Sequence, residues 1–143
     1  MATMPVEWGK VREYAIATAA ARPAYLDDPK APIPPTFLST VAFWADIGNT
    51  VRAPEVVRAC ASVGIAADVR HLLSLEQEYV FPGPVPRVGE TLYTSERLHD
   101  VRVKESRSGP MVVVRFVVSF QDDSGLLRAE CWYTSAYLRK ERS

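Results

Sequence analysis

The chain has 143 residues, of which 48% are hydrophobic, and seventeen basic residues balance seventeen acidic ones to a formal net charge of zero. This length and composition predict one globular domain over residues 1–143. The balanced charge argues against binding to nucleic acid or to an anionic membrane, and no apolar stretch approaches the ~20 residues of a membrane helix. No basic patch precedes an apolar run at the N-terminus, so we expect a cytoplasmic protein without a secretory signal.

Two helices are predicted from local patterns in the first half of the chain. Apolar residues recur at helical spacing over residues 6–18, and this helix must end before Pro23 because proline cannot continue a helix. Residues 54–61 predict a short helix with Pro54 at its first turn and Gly64 after its end.

A more apolar helix is predicted between these two. The loop over residues 22–35 contains five prolines, and Thr36 follows it as a candidate N-cap. The next residues, FLSTVAFWADIGNT, are apolar around almost the whole helical circumference, and Gly48 or Asn49 is a reasonable end. A helix that is apolar all round must be buried all round, which a curved sheet can achieve. We therefore expect four of its residues to be nearly inaccessible to solvent: Phe37, Val41, Trp44 and Ala45.

The second half of the chain predicts an antiparallel sheet. Strand-like segments occupy residues 71–81, 90–104, 111–121 and 126–138, with turn residues between them. These four strands are expected to form a meander. One buried helix followed by such a meander favours an α+β hot-dog fold, in which an antiparallel sheet wraps around a long central helix; an α+β roll of another topology is the alternative.

Few residue patterns point to catalysis or to a metal. Neither His71 nor His99 has ligand-spaced Cys, His or carboxylate neighbours, so no metal site is expected. Because a glycine-rich phosphate loop and a Gly-x-Ser-x-Gly elbow are both absent from the sequence, no cofactor is expected either. Cys60 and Cys131 are interpreted as packed small hydrophobic residues.

Two charged clusters allow a functional and a structural interpretation. Asp27 and Asp28 are either a general base or, in a proline-rich loop, solvated turn formers. Arg102, Lys104 and Arg107 form a basic run at a strand end, which is either a solvated edge or a contact for the phosphates of a thioester carrier.

Four segments together resemble the MaoC-like dehydratases and (R)-specific enoyl-thioester hydratases, above all their N-terminal, FAS1-like dehydratase domain. They are VEWGKVREYA, APIPPTF, LEQEYVFPGPVPRVGETL and QDDSGLLRAECWYTSAYLR, and their order and spacing span nearly the whole chain. The most specific piece covers residues 88–92, where the family carries a similar turn of the form p-v-x-G-D-x-L.

This resemblance implies a hot-dog fold and an acyl-thioester substrate. Active members of the family carry an aspartate, with a histidine five positions later, just before the central helix. Here Asp27 or Asp28 lies near the position of that aspartate, but the residues five positions later are Pro32 and Ile33, which cannot transfer a proton. The chain therefore corresponds to the non-catalytic half of the family, and no catalytic residue is assigned to it.

The function that the resemblance implies is a non-catalytic, substrate-binding subunit of a heteromeric enoyl-CoA or enoyl-ACP hydratase, or (R)-3-hydroxyacyl-thioester dehydratase. A separate hot-dog subunit would supply the Asp/His pair, in a homodimer or an α₂β₂-type assembly joined at sheet edges, for which residues 90–104 are the candidate edge. Loop and helix residues would line the acyl pocket: Ile33, Pro35, Thr36, Phe37 and Val41. The alternatives are a stand-alone protein that binds an acyl thioester or another apolar ligand, and a hot-dog thioesterase with Asp46 as its carboxylate.

Overall fold

The structure, a computed structural model, describes residues 1–139. Its α-helices are α1 (Trp8–Ala17), α2 (Pro23–Leu26) and α3 (Pro54–Ser62), and it has 3-10 helices at Phe37–Phe43, Thr50–Arg52 and Val69–His71. Its strands are β1 (Ala2–Pro5), β2 (Leu72–Val80), β3 (Thr91–Ser106), β4 (Gly109–Gln121) and β5 (Leu127–Leu138). The predicted domain extends to residue 143, so its last four residues lie outside the described residues.

The five strands form one antiparallel sheet in the order β1-β3-β4-β5-β2, which confirms the predicted fold class. The meander is wrong in one respect, because β2 lies beside β5 at the end of the sheet. The open edge predicted for residues 90–104 is also wrong at its beginning: β1 pairs there with β3, from Ala2 opposite Thr94 to Pro5 opposite Thr91.

The two helices predicted from local patterns are confirmed as α1 and α3. Each ends in backbone hydrogen bonds from its C-cap residue, and Pro54 occupies the first turn of α3 as expected. The helix α2 was not predicted. It is a single turn that begins at Pro23, where the fixed φ of proline suits a helix start. No helix within residues 1–139 is long and apolar enough to span a membrane.

The prediction of a long central helix is wrong. In its place is a seven-residue 3-10 helix, Phe37–Phe43, after which the chain turns. Phe37 and Val41 are buried as expected, whereas Phe43 is 87% exposed and Trp44 is 40% exposed. This segment is rich in β-branched and aromatic residues, which lose side-chain freedom in an α-helix, so intrinsic propensity gives a longer helix little support.

Contacts divide the chain into two compact units, each built from three separate segments. The first unit comprises Met1–Asp46, Tyr79–Ser95 and Val118–Cys131; the second comprises Ile47–Glu78, Glu96–Val117 and the residues from Trp132 onward. Among the fully buried side chains of the first unit are Met4, Val11, Phe37, Leu38, Leu92 and Phe120. Among those of the second are Val56, Val112, Val114 and Tyr137.

In the first unit, Arg128 holds the turn that carries the most family-like sequence. Its guanidinium donates to the carbonyl of Pro84 at 2.8 Å and forms ion pairs with Glu90 at 3.2 Å and Asp122 at 3.3 Å. Arg128 is buried, and a buried charge is tolerated only when it is paired and hydrogen-bonded. The residue Gly89 adopts a φ of +93°, which favours glycine. The family-like sequence at residues 88–92 therefore has a structural role, because it forms part of the turn that Arg128 stabilises. We call this set of Arg128 contacts the brace.

In the second unit, three hydrogen bonds fix the segment before α3. The buried Tyr137 hydroxyl donates to the carbonyl of Val51 at 2.8 Å. The Glu96 carboxylate accepts the backbone N–H of Thr50 at 3.1 Å and also the hydroxyl of that residue. Buried polar groups are costly unless they are hydrogen-bonded, so these pairs determine how the segment docks on β3 and β5.

Candidate functional site

A half-open cavity of about 570 Å³ lies in the first unit, between α1 and the 3-10 helix at Phe37–Phe43. This volume lies within the range of small-molecule sites. Most of its wall is apolar or aromatic. Its lining residues are Pro5, Lys10, Glu13, Tyr14, Ala17, Phe37, Thr40, Phe43 and Trp44.

The inner wall of the cavity is fixed by Tyr14 from α1. Its hydroxyl lies 2.7 Å from the Thr36 side-chain oxygen and 3.0 Å from the Thr36 carbonyl. Its ring meets Phe37 edge-on at a centroid distance of 5.5 Å, a favourable aromatic geometry. Thr36 therefore ties α1 to the 3-10 helix and makes no side-chain cap, contrary to the expected N-cap.

The mouth of the cavity combines exposed aromatic side chains with one ion pair. Phe43 is almost fully exposed and Trp44 is partly exposed. The Lys10 ammonium lies 3.2 Å from the Glu13 carboxylate. Both charged side chains are largely exposed, so this pair adds little to stability and either group is available to a ligand. The cavity thus offers an apolar interior with a polar rim.

The structure separates the five residues predicted for an acyl pocket. Phe37 lines the cavity, and Thr36 contacts it through Tyr14. Ile33 and Val41 are buried core residues, and the Ile33 N–H donates to the carbonyl of Pro86. Pro35 is exposed.

Asp27 and Asp28 are both exposed, and neither lines the cavity. The carboxylate of Asp28 accepts the backbone N–H of Lys30 at 2.8 Å, which is a typical turn contact. Five positions after them, Pro32 forms an isolated bridge with Arg87, and the next residue is part of the core. The structure therefore places both aspartates as turn formers.

The basic run lies in the second unit. Arg102 and Lys104 are exposed on β3, and Arg107 is exposed in the turn that follows. Arg102 donates to the carboxylate of Asp100, so its charge is partly balanced within the chain. None of these residues lines the cavity described above.

Neither histidine lines the cavity. His99 packs edge-on against Trp132 at 5.0 Å, and the Arg115 guanidinium stacks over the same indole ring at 5.2 Å. His71 lies 3.9 Å from Asp68. Both histidines therefore make structural contacts within the second unit.

The remaining candidates for acid–base or nucleophilic chemistry, Asp46 and the two cysteines, do not line the cavity either. Asp46, expected on the central helix, is exposed after the 3-10 helix and does not line the cavity. Cys60 and Cys131 are buried, and burial raises the pKa of the Cys60 thiol. That direction favours the unreactive thiol over the thiolate, as expected for a packing residue.

Sequence reasoning missed most of the cavity wall. Glu13 and Tyr14 lie three and four positions after Lys10, and Ala17 lies four and three positions after them, so all four residues share one face of α1. That spacing was available in the sequence. The exposure of Phe43 could not be read from the sequence, because it depends on the 3-10 helix ending at this residue instead of continuing.

A family profile described as FAS1-like, dehydratase domain region matches residues 1–127. The chain belongs to this family. The resemblance predicted from the sequence is thereby confirmed. Among curated proteins, the FAS1-like dehydratase domain described here has no significant match.

Solved structures show the same fold. A chain of the C-terminally truncated HadBC complex, a (3R)-hydroxyacyl-ACP dehydratase from Mycobacterium tuberculosis, matches with a TM-score of 0.67 and 22% identity, covering 94% of this chain and 89% of that one. A chain of the ChsH1-ChsH2 complex from the same organism matches with a TM-score of 0.70 and 18% identity, covering 98% and 86%. A MaoC-like dehydratase matches with a TM-score of 0.73 and 20% identity over 98% of this chain but 40% of that one, so this domain spans less than half of its length.

Proposed function

We propose that this domain is a non-catalytic, substrate-binding subunit of a heteromeric enoyl-CoA or enoyl-ACP hydratase, or (R)-3-hydroxyacyl-thioester dehydratase. The observation that carries the proposal is a largely apolar cavity whose wall, among residues 1–139, holds no carboxylate–histidine pair. Of the described residues, Glu13 alone brings a carboxylate to the lining, and it is exposed and paired with Lys10. The cavity is suited to hold an acyl group, and a partner must supply the chemistry.

Adding water to an enoyl thioester requires a base that takes a proton from water and an acid that protonates the α-carbon. Positioned general acid–base groups contribute about 10²–10⁴-fold each to such a reaction. A hot-dog partner subunit carrying the Asp/His pair supplies both groups in our proposal. Two of the matching structures, HadBC and ChsH1-ChsH2, are described as complexes, which supports a partner.

The ligand that we propose is an acyl-CoA or acyl-ACP thioester. The acyl group occupies the cavity, with Phe37 as part of its wall, and Thr36 holds Tyr14 in place against it. We retain Arg102, Lys104 and Arg107 as proposed contacts for the phosphates of the carrier, because exposed guanidinium and ammonium groups bind phosphate well. The protein acts as one domain in the cytoplasm in this proposal.

The first test compares the purified chain alone with the chain co-expressed with the product of a neighbouring gene encoding a catalytic hot-dog subunit. The substrates are crotonyl-CoA and longer enoyl-CoAs, and hydration is followed by loss of enoyl absorbance. We expect no detectable turnover by the chain alone and robust turnover by the complex. Turnover by the isolated chain that disappears in His99→Ala would refute the proposal and make His99 catalytic.

The second test measures ligand binding through Trp44, which lines the cavity and is partly exposed. We expect a long-chain acyl-CoA to shift its fluorescence, and the shift to vanish in Trp44→Phe. Ala17→Phe should weaken the affinity for acyl-CoA at least tenfold, because Ala17 lines the cavity. Ile16→Phe, at the neighbouring exposed position, should leave the affinity unchanged. Equal effects of the two phenylalanine substitutions would place the ligand elsewhere.

One observation favours a second function, a stand-alone protein that binds acyl thioesters or other apolar ligands. The lining residues of the cavity all belong to the first unit of this chain. Binding in the second test, combined with no turnover by any complex in the first, would favour this function. The thioesterase alternative has no such support, because Asp46 does not line the cavity.

A further inference from the structure

The 3-10 helix at Phe37–Phe43 is unusually long for its type. It has seven residues, whereas 3-10 runs longer than about three or four residues are uncommon because their hydrogen-bond geometry is poor. Side chains three positions apart eclipse one another along such a helix, so its residues form three straight rows. In an α-helix the same side chains would drift by about 60° for every three residues.

Each row of this 3-10 helix faces different surroundings. Leu38 and Val41 form one row, and both are fully buried in the core of the first unit. Ala42 lies on a second row and is exposed. The third row lines the cavity and consists of Phe37, Thr40 and Phe43. One wall of the cavity therefore depends on the 3-10 winding, because in an α-helix Phe43 would point about 120° away from Phe37.

The third row leads from the inner end of the cavity to its mouth. Phe37 is 2% exposed and packs against Tyr14. Thr40 is partly buried, and Phe43 is 87% exposed. A rise of about 2 Å per residue places Thr40 about 6 Å from each phenylalanine along the helix axis, so the row is about 12 Å long. An extended acyl chain gains about 1.3 Å per carbon from its C–C bonds of about 1.5 Å, so the row spans roughly nine carbons.

The residue at the middle of the row has its smallest side chain. The Thr40 hydroxyl donates to the Phe37 carbonyl at 2.8 Å, which keeps this side chain close to its own helix. A short side chain between two phenylalanines leaves room for a ligand at this depth. Carbons that pass Thr40 are buried beside Phe37 and Tyr14, where the cavity ends. The size of the side chain at position 40 therefore determines whether the inner half of the cavity can be reached.

We propose that Thr40 determines the length of the acyl group that the cavity accepts. Because its side chain is small, an acyl chain of roughly eight to ten carbons can extend along the whole row as far as Phe37. This inference rests on the proposed function, since it names the class of acyl thioester held by the same cavity. Thr40 is a specificity-determining residue and takes no part in proton transfer.

The test titrates saturated acyl-CoAs into the purified chain and measures their affinities by isothermal titration calorimetry. Each fully buried methylene group is worth about a fourfold gain in affinity. We therefore expect wild type to bind decanoyl-CoA at least tenfold more tightly than butyryl-CoA, and to gain less than about twofold more from decanoyl-CoA to dodecanoyl-CoA because Phe37 ends the row.

Thr40→Phe should weaken the binding of decanoyl-CoA at least tenfold and leave that of butyryl-CoA within about twofold, because the new ring obstructs only the inner half of the cavity. The matched control is Ala42→Phe, the same side chain on the exposed row, which should leave both affinities within about twofold. Thr40→Val keeps the size of the side chain and removes the hydroxyl, so it should keep the wild-type dependence on chain length. Thr40→Leu, a smaller obstruction, is measured in parallel in case Thr40→Phe fails to fold, and it should weaken decanoyl-CoA more than butyryl-CoA.

Equal losses of decanoyl-CoA and butyryl-CoA affinity in Thr40→Leu, at an unchanged urea midpoint, would overturn the role of Thr40. An altered length dependence in Thr40→Val or Ala42→Phe would overturn it as well. Each of these outcomes leaves acyl-CoA binding, and with it the proposed function, intact. Failure of wild type to bind any of the three acyl-CoAs would instead overturn both proposals, and failure of a catalytic complex to turn over would affect the proposed function alone.

Discussion

Two phenylalanines in one 3-10 helix provide the sharpest stability test of the fold. Phe37 is 2% exposed and meets Tyr14 edge-on, whereas Phe43 is 87% exposed. Phe37→Ala should therefore lower the free energy of unfolding by about 3–5 kcal/mol, the usual cost of emptying a buried aromatic site. Of this, about 0.5–1.5 kcal/mol belongs to the lost ring pair. Phe43→Ala should change it by no more than about 0.5 kcal/mol, as at other exposed positions.

Both free energies are measured by urea unfolding, followed by far-ultraviolet circular dichroism and tryptophan fluorescence at low protein concentration. Equal m values would show that the two variants and the wild type expose similar surface on unfolding. Equal losses for Phe37→Ala and Phe43→Ala would refute our reasoning. That result would instead indicate a continuous helix buried on all sides, as the sequence pattern alone predicts.

Two further predictions concern individual hydrogen bonds. Tyr137→Phe should lower the free energy of unfolding by about 1–2 kcal/mol because it leaves the buried carbonyl of Val51 without its donor; an unchanged urea midpoint would contradict this. Hydrogen bonds from the Ser124 side chain, from nearby backbone N–H groups and from Arg128 lower the pKa of Asp122, so its contribution is complete above the unfolded pKa of about 4 and is lost as the pH falls through the lower folded pKa. The free energy of unfolding of Asp122→Asn should thus fall less steeply than that of wild type as the pH is lowered from 7 to 2. An equally steep fall would contradict the assignment.

The elements that the sequence predicted well are those defined by local signals. The proline at the start of α3 and the glycine-containing turns that bound β4 act within a few residues, and the structure places these elements where they were expected. The β-branched and aromatic composition of residues 111–121 similarly identified β4, and the alternation of polar and apolar residues over 126–138 identified β5.

The elements that the sequence misplaced depend on contacts between distant residues. Residues 37–50 are apolar on all sides, so their pattern cannot indicate which side chains the fold will bury. For this reason the exposure of Phe43 and Trp44 could not be predicted. The position of β2 beside β5 also has no local signal. The cavity depends on the first of these features, because its wall combines α1 with a 3-10 helix that ends earlier than its composition predicts.

The brace around Arg128 has a consequence for the order of folding. Its hydrogen bonds to Pro84 and Glu90 span 44 and 38 positions of the chain. Closing such loops costs chain entropy before any contact compensates for it, whereas the hairpin of β4 and β5 closes over a short turn. We therefore expect the hairpin to form first and residues 82–90 to become ordered only after Arg128 is in place, so that pulsed hydrogen exchange during refolding finds their amides protected later than those of β4 and β5.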